Sequence, residues 1–137
     1  MKSSYGDRDS SKWWQALERR ELLVQKCSCG ALRWAPRAMC NACGSFDWAW
    51  LATAGTGSVV SWTVARRGFS PSPVAPFTVV LARLSEGSNL FVPGGWAGDI
   101  DGSDLSVGLR VRADFTVMAP AENAPTALIT WATDQAT

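Results

Sequence analysis

Two rhythms of hydrophobic and polar positions divide the chain. From Ser11 the run SKWWQALERRE brings Trp13, Trp14 and Leu17 together at three- and four-residue spacing, with charges opposite and a serine available as N-cap, which predicts a short helix. Leu22 to Lys26 (LLVQK) changes to an aliphatic, strand-like run that leads straight into Cys27. After Thr53 the pattern becomes β in five runs: GTGSVVSWTVARR, APFTVVLARL, NLFV, LRVRADFTVM and ALITWAT. In the first of these Val60, Trp62 and Val64 alternate onto a side expected to be packed. In the fourth, Val111, Ala113, Phe115 and Val117 do the same, with Arg110, Arg112, Asp114 and Thr116 facing away. Ser70-Pro71-Ser72-Pro73, Glu86-Gly87-Ser88-Asn89 and Pro93-Gly94-Gly95 read as turns between runs. Five short strands of this kind predict a small closed barrel.

All four cysteines fall between helix and barrel. Cys27-Ser28-Cys29-Gly30 and Cys40-Asn41-Ala42-Cys43-Gly44 are two chelating pairs separated by ten residues, each followed by a glycine that admits a tight turn. Four thiolates around Zn²⁺ at about 2.3 Å complete a tetrahedron with no open position, so such a metal is structural, as in zinc ribbons and rubredoxin-like knuckles. The first pair has one intervening residue where a standard knuckle has two, which makes a tighter chelate. A site without metal, a pair of disulfides and an iron site remain as alternatives.

Charge and composition narrow the chemistry. The 137 residues carry a net charge of +1. Residues 1–43 hold eight Lys/Arg against four Asp/Glu, and residues 44–137 hold five against eight, so the halves are +4 and −3. Four zinc-bound thiolates add a formal −2 to the first half, which leaves no evident nucleic-acid footprint. There is no histidine, and the chain has only three lysines (Lys2, Lys12, Lys26) and one tyrosine, Tyr5. That excludes Ser-His-Asp and Cys-His catalysis within the chain and predicts no catalytic residues of its own. The polar stretch MKSSYGDRDS lacks the apolar run of a secretory signal or membrane span, so a cytoplasmic protein without membrane association is expected. The expected organisation is a flexible N-terminus (1–11), helix plus ribbon (12–47), barrel (48–133) and tail (134–137).

Laid out in order, WWQAL, LLVQKC, CG, Ala35-Pro36-Arg37, CNACGS, Trp50, GTGSVVSWTVARR, APFTVVLARLSEG and VGLRVRADF resemble the zinc-ribbon and OB-fold family catalogued as domain of unknown function thirty-five. The resemblance spans about residues 12 to 118. It implies a mainly β fold: an N-terminal helix and rubredoxin-like zinc ribbon followed by a five-stranded OB-fold barrel. It implies a structural zinc on Cys27, Cys29, Cys40 and Cys43. Family members accompany thiolase-superfamily enzymes in acyl-CoA metabolism, including thiolases, acyltransferases and thiolase-like aldolases that shorten steroid side chains. The function implied is therefore a non-catalytic accessory subunit in a hetero-oligomer, which helps form the partner's acyl-CoA site and meets CoA through that partner. Two departures from the pattern are the shortened first knuckle and Pro93-Gly94-Gly95-Trp96, where the family leads one to expect a continued strand running toward an acidic turn.

Several residues are candidates for the partner role. Trp13, Trp14 and Leu17 are suited to a partner groove, or alternatively cover their own ribbon, with one indole capping the strand at Leu22 to Val24. Trp96 beside the glycine pair is a further candidate contact, against a plain turn with its tryptophan folded onto the barrel. Arg66 and Arg67, next to the proline-rich loop Phe69 to Pro76, are candidates for the phosphates of CoA, against ordinary solvated charges. A single-stranded nucleic-acid binder is the competing class, with Trp62 and Arg66 as its stacking and phosphate groups. The −3 balance of the barrel half opposes it.

Overall fold

A computed structural model describes residues 6–66, 76–119 and 124–134. One helix, α1 (Ser11–Glu18), precedes eight strands: β1 (Leu23–Cys27), β2 (Leu32–Arg33), β3 (Trp48–Ala52), β4 (Thr56–Ala65), β5 (Phe77–Leu84), β6 (Phe91–Trp96), β7 (Arg110–Val117) and β8 (Ala127–Thr133). The first three form an antiparallel sheet in the order β2-β1-β3, and the last five close a barrel in the order β4-β5-β6-β8-β7. The expected mainly β architecture, helix and ribbon followed by a five-stranded barrel, is the architecture observed.

β3 pairs with β1 along its whole length, from Leu23 opposite Ala52 to Cys27 opposite Trp48. The ribbon's sheet therefore extends past the expected division at residue 48 to Ala52. Thr53 closes that sheet against Leu22, its N–H and Oγ1 both donating to the Leu22 carbonyl at 3.0 and 2.8 Å.

β4 departs from simple alternation. A bulge between Val59 and Ser61 sets Val59 opposite Ala82 and, beyond the bulge, Trp62 opposite Val80 and Val64 opposite Thr78. The extra residue is Val60, so Val59 rather than Val60 enters the core, while Trp62 stays 36% exposed at the barrel rim. The expected packed face of Val60, Trp62 and Val64 is corrected accordingly. β7 follows its expected parity near its start, where Val111 is fully buried, but its far end leaves the core and Val117 stands exposed.

The Pro93-Gly94-Gly95 segment lies inside β6 and is not a turn. It pairs with β5 from Arg83 opposite Phe91 to Val79 opposite Gly95, and Gly95 and Trp96 pair in parallel with Thr130 and Trp131 of β8. Gly94 is there for room: a Cβ at this position would stand 2.8 Å from both Cδ1 and Nε1 of Trp131. That indole is fully buried and donates to the Val92 carbonyl at 3.2 Å. The strand then runs into an acidic turn containing Asp99, Asp101 and Asp104, as the family pattern implies.

Ribbon, helix and barrel share one hydrophobic core. Trp13, Ala16 and Leu17 of α1 join Leu22, Leu23 and Val24 of the ribbon and Val80, Val92, Ile129 and Trp131 of the barrel in one buried cluster. Among the described residues no helix is long and apolar enough to cross a membrane.

Candidate metal centre and partner surface

The two knuckles are built by the glycines that end them. Gly30 (φ +95°) donates to the Cys27 carbonyl at 2.8 Å, and Gly44 (φ +77°) donates to the Cys40 carbonyl at 2.8 Å. Cys27 N–H reaches Ala31 O at 2.9 Å, which folds β1 toward β2, and Cys40 N–H reaches Ser45 O at 2.8 Å, which closes the second turn. Together these turns place all four Sγ atoms within 4.8 Å of one another. Cys27 and Cys43 stand 3.5 Å apart and Cys29 and Cys40 3.9 Å apart, distances of free thiols and not of disulfides. Four sulfurs at about 2.3 Å from a tetrahedral Zn²⁺ are about 3.8 Å from each other, so the donor set fits zinc without rearrangement. The single Ser28 spacer is compatible with this geometry.

The electrostatics of the cluster call for a cation. A backbone hydrogen bond at Cys29 draws the Cys27 thiol down to about 6, and backbone hydrogen bonds at Ala42 and Cys43 lower Cys40. At Cys43 a backbone hydrogen bond at Ser45 pulls down, but the sulfurs of Cys27 and Cys29 outweigh it and push the thiol up to about 12. The first thiolates thus form readily and the last resists, as expected when like charges share a small volume. A divalent ion removes that conflict.

A second layer fixes the arm between the knuckles. Gln25, fully buried on β1, donates through Nε2 to the Arg37 carbonyl at 3.0 Å and accepts from the Arg37 N–H at 3.0 Å. Arg33 adds a bond from Nη2 to the same carbonyl at 2.9 Å and lies over the Trp48 ring at 5.6 Å. Trp48 Nε1 donates to Ala38 O at 3.1 Å. None of these supporting residues was singled out from sequence.

The candidate partner residues fall in different settings. Trp13 is buried and donates to Leu23 O at 3.0 Å, capping the Leu22–Val24 strand, and Leu17 is wholly inside. Neither indole nor isobutyl group is free to reach out of its own fold. Trp14 is half-buried and meets Trp13 edge to face, ring centroids 4.8 Å apart. These three side chains form one wall of an apolar groove of about 230 Å³ whose other wall is Pro93, Gly94 and Gly95, with Leu128 on its rim. The fold has therefore joined two sequence candidates, the helix and the Pro-Gly-Gly segment, at one place. Trp96 lies just beyond, its Nε1 donating to Asp104 Oδ1 at 2.8 Å. Arg66 is exposed at the far end of β4, where its charge helps lower the Asp101 carboxyl after the hydrogen bonds from Ser103. Arg67, the Ser70–Pro73 turn and most of the Phe69 to Pro76 loop lie outside the described residues.

Residues 14–49 match the model described as "ChsH2, rubredoxin-like zinc ribbon domain", and residues 50–116 match "ChsH2, C-terminal OB-fold domain". A solved structure described as "Ltp2-ChsH2(DUF35) aldolase" is 32% identical, with a TM-score of 0.78, covering 93% of this chain and 96% of that one. The chain belongs to the ChsH2 zinc-ribbon and OB-fold family. Two curated relatives are similar over part of their length. The "Probable enoyl-CoA hydratase alpha subunit" of Thermomonospora curvata is 41% identical over 85 residues, covering 61% of this chain and 27% of that protein. The "3-oxo-4,17-pregnadiene-20-carboxyl-CoA hydratase alpha subunit" of Mycobacterium tuberculosis is 27% identical over 111 residues, covering 79% and 34%. This ChsH2-family chain thus spans about a third or less of the curated relatives it matches.

Proposed function

We propose that the chain is a non-catalytic accessory subunit, in the cytoplasm, that docks on a thiolase-like enzyme and helps shape its acyl-CoA site. The observation that carries this reading is the likeness, over nearly the whole of both chains, to a component of an aldolase whose description joins ChsH2 to Ltp2. The residue chemistry supports it: a closed four-sulfur site offers no open metal position, and a chain without histidine lacks the usual base. Zinc on Cys27, Cys29, Cys40 and Cys43 has a structural role in this reading. The partner surface is the groove between α1 and β6, with Trp14 and Leu128 as its accessible apolar groups and Trp96 at its margin. Arg66 and Arg67 are the proposed contacts for CoA phosphates held by the partner.

The names of the two curated relatives favour a second reading, in which the same chain serves a hydratase acting on an acyl-CoA. The nucleic-acid reading has less support, because Trp62 abuts the acidic turn: Gly102 sits against its ring, and Asp99, Asp101 and Asp104 surround that glycine.

Affinity purification of the tagged chain from its native cells, followed by identification of what accompanies it, tests the proposal. A thiolase-like protein in stoichiometric amount, active on acyl-CoA only in the complex, is expected. A hydratase as the sole companion would establish the second reading, and acyl-CoA turnover by the isolated chain would overturn both.

A further inference from the structure

The ribbon sheet has two edges, and the described residues cover one of them. On the β2 side the edge is two residues long, and the outward carbonyl of Leu32 accepts from Asn89 Nδ2 at 3.0 Å. On the other side β3 has β1 as its neighbour and no strand beyond. The direction of its backbone groups follows from the ends of the β1–β3 ladder, where Ser28 N–H donates to Asp47 O at 2.9 Å and Thr53 N–H donates to Leu22 O at 3.0 Å. Hydrogen-bonded pairs alternate along an antiparallel ladder, so Asp47, Ala49, Leu51 and Thr53 turn their backbone groups toward β1. Trp48, Trp50 and Ala52 turn theirs outward, and among the described residues nothing hydrogen-bonds them.

Open edges are ordinarily blunted by charge, proline or a bulge. The run Trp-Ala-Trp-Leu-Ala has none of these, and its register with β1 is unbroken. The run is also its own complement. A second β3 laid antiparallel about a two-fold axis at Trp50 sets Trp50 against Trp50, Trp48 against Ala52 and Ala49 against Leu51. A large side chain then meets a small one everywhere except at the centre, where two indoles form a cross-strand aromatic pair. No like charges are opposed, since Asp47 falls against Thr53. Trp50 already meets Trp48 edge to face with ring centroids 5.0 Å apart, and Trp48 is anchored through Nε1 to Ala38 O at 3.1 Å, so little rotamer freedom is left to lose. A hollow of about 310 Å³ lies along β3, with Lys26, Asp47, Ala49 and Leu51 in its lining, and the incoming Leu51 enters it beside Ala49.

We propose that β3 pairs with β3 of a second copy of this chain, so that two ribbons join in one continuous sheet. The outward groups of Trp48, Trp50 and Ala52 select an extended strand as the occupant, and the match of large to small side chains selects this strand. So short a ladder buries less than a permanent interface, and the dimer is concentration-dependent. The groove between α1 and β6 shares no lining residue with this edge, and the pairing does not rest on the partner reading.

Sedimentation of the zinc-loaded full chain from about 5 to about 500 μM, with amide exchange measured at both limits, tests the pairing. A shift from monomer to dimer is expected. Exchange should slow about tenfold or more at the Trp48, Trp50 and Ala52 amides and change little at Ala49 and Leu51, which already face β1. Ala52→Pro removes an outward donor at an exposed edge position and no bond to β1, so it should weaken association about tenfold or more with an unchanged unfolding midpoint. Ala49→Glu serves if the proline variant folds poorly, because it stands beside Lys26 on β1 and sets a carboxylate against the incoming Leu51. Val107→Ser, which removes an exposed apolar group from the segment before β7, should leave association within about twofold. The proposal fails if the chain stays monomeric throughout, if a dimer forms without protecting those three amides, if a folded β3 variant dimerises like the native chain, or if Val107→Ser weakens association as much as the β3 variants do.

Discussion

Gln25 holds the arm between the two knuckles by a pair of hydrogen bonds to Arg37, of which the carbonyl is shared with Arg33 and the N–H is served by Gln25. Its amide donates to and accepts from Arg37 at 3.0 Å each, in the way a neighbouring strand would. Gln25→Leu keeps the size of the side chain but leaves the Arg37 N–H unpartnered, and the lost pair should cost about 2 to 3 kcal/mol in urea unfolding. The same variant should release its metal faster to a chromogenic chelator, because the arm positions Cys40. The cysteines themselves were legible in the sequence, since their spacing and trailing glycines state the chemistry outright. Gln25 was not, because LLVQK reads as a plain strand and nothing in one sequence says that its amide is buried. Val60 was misplaced for a related reason: a bulge inverts alternation without any residue signal, and only the pairing of Val59 with Ala82 reveals it.

At the scale of elements, the helix and the ribbon each depend on a group that titrates. Ahead of α1, Asp7 Oδ1 accepts from the N–H groups of Asp9 at 3.0 Å and Ser10 at 2.8 Å, while Ser10, at the N-cap position, makes no side-chain cap bond. A side-chain hydrogen bond at Ser10, aided by the backbone bonds, holds Asp7 below its ordinary value of 3.8. A carboxylate depressed by folding stabilises the helix start above that ordinary value and loses this effect as pH falls through the lower folded one. The protection of the Ser10 amide, measured against its intrinsic exchange at each pH, should therefore fall on acidification below about pH 4, and Asp7→Ala should lack that protection at neutral pH and show no acid step. For the ribbon, the cysteine thiols must lose their protons to bind metal, so acid or a strong chelator should strip it. Loss of ellipticity from the Trp48 and Trp50 pair, with the barrel's slowly exchanging amides retained, is the expected result. Retention of the tryptophan signal after complete metal removal would show that the sulfurs are not what orders the sheet. The barrel strands were readable from their runs and turn residues, whereas the extent of β6 was hidden: Pro-Gly-Gly signals a turn, and only the Trp131 indole crossing Gly94 explains why the strand continues through it.

In the whole molecule, α1 serves the interior and the surface at once. Trp13 and Leu17 lock helix, ribbon and barrel into one core, so a truncation before Gln15 would remove a buried indole and unsettle the fold before it tested any interface. Trp13→Ala should cost about 3 to 5 kcal/mol, which makes it a measure of that core and not of docking. The groove beside the helix needs a probe whose loss the core does not feel. Leu128 meets this need, since its neighbours Ala127 and Ile129 face inward while it stands 40% exposed on the groove rim. An apolar groove that receives a partner excludes water from its rim, and a carboxylate placed there must be desolvated without a counter-ion. Leu128→Glu should accordingly leave thermal unfolding and zinc content unchanged while abolishing co-purification of the partner enzyme. If the partner still binds the Leu128→Glu chain with native affinity, the groove between α1 and β6 is not the docking surface, and the exposed Phe46 and Met39 beside the second knuckle become the next place to test.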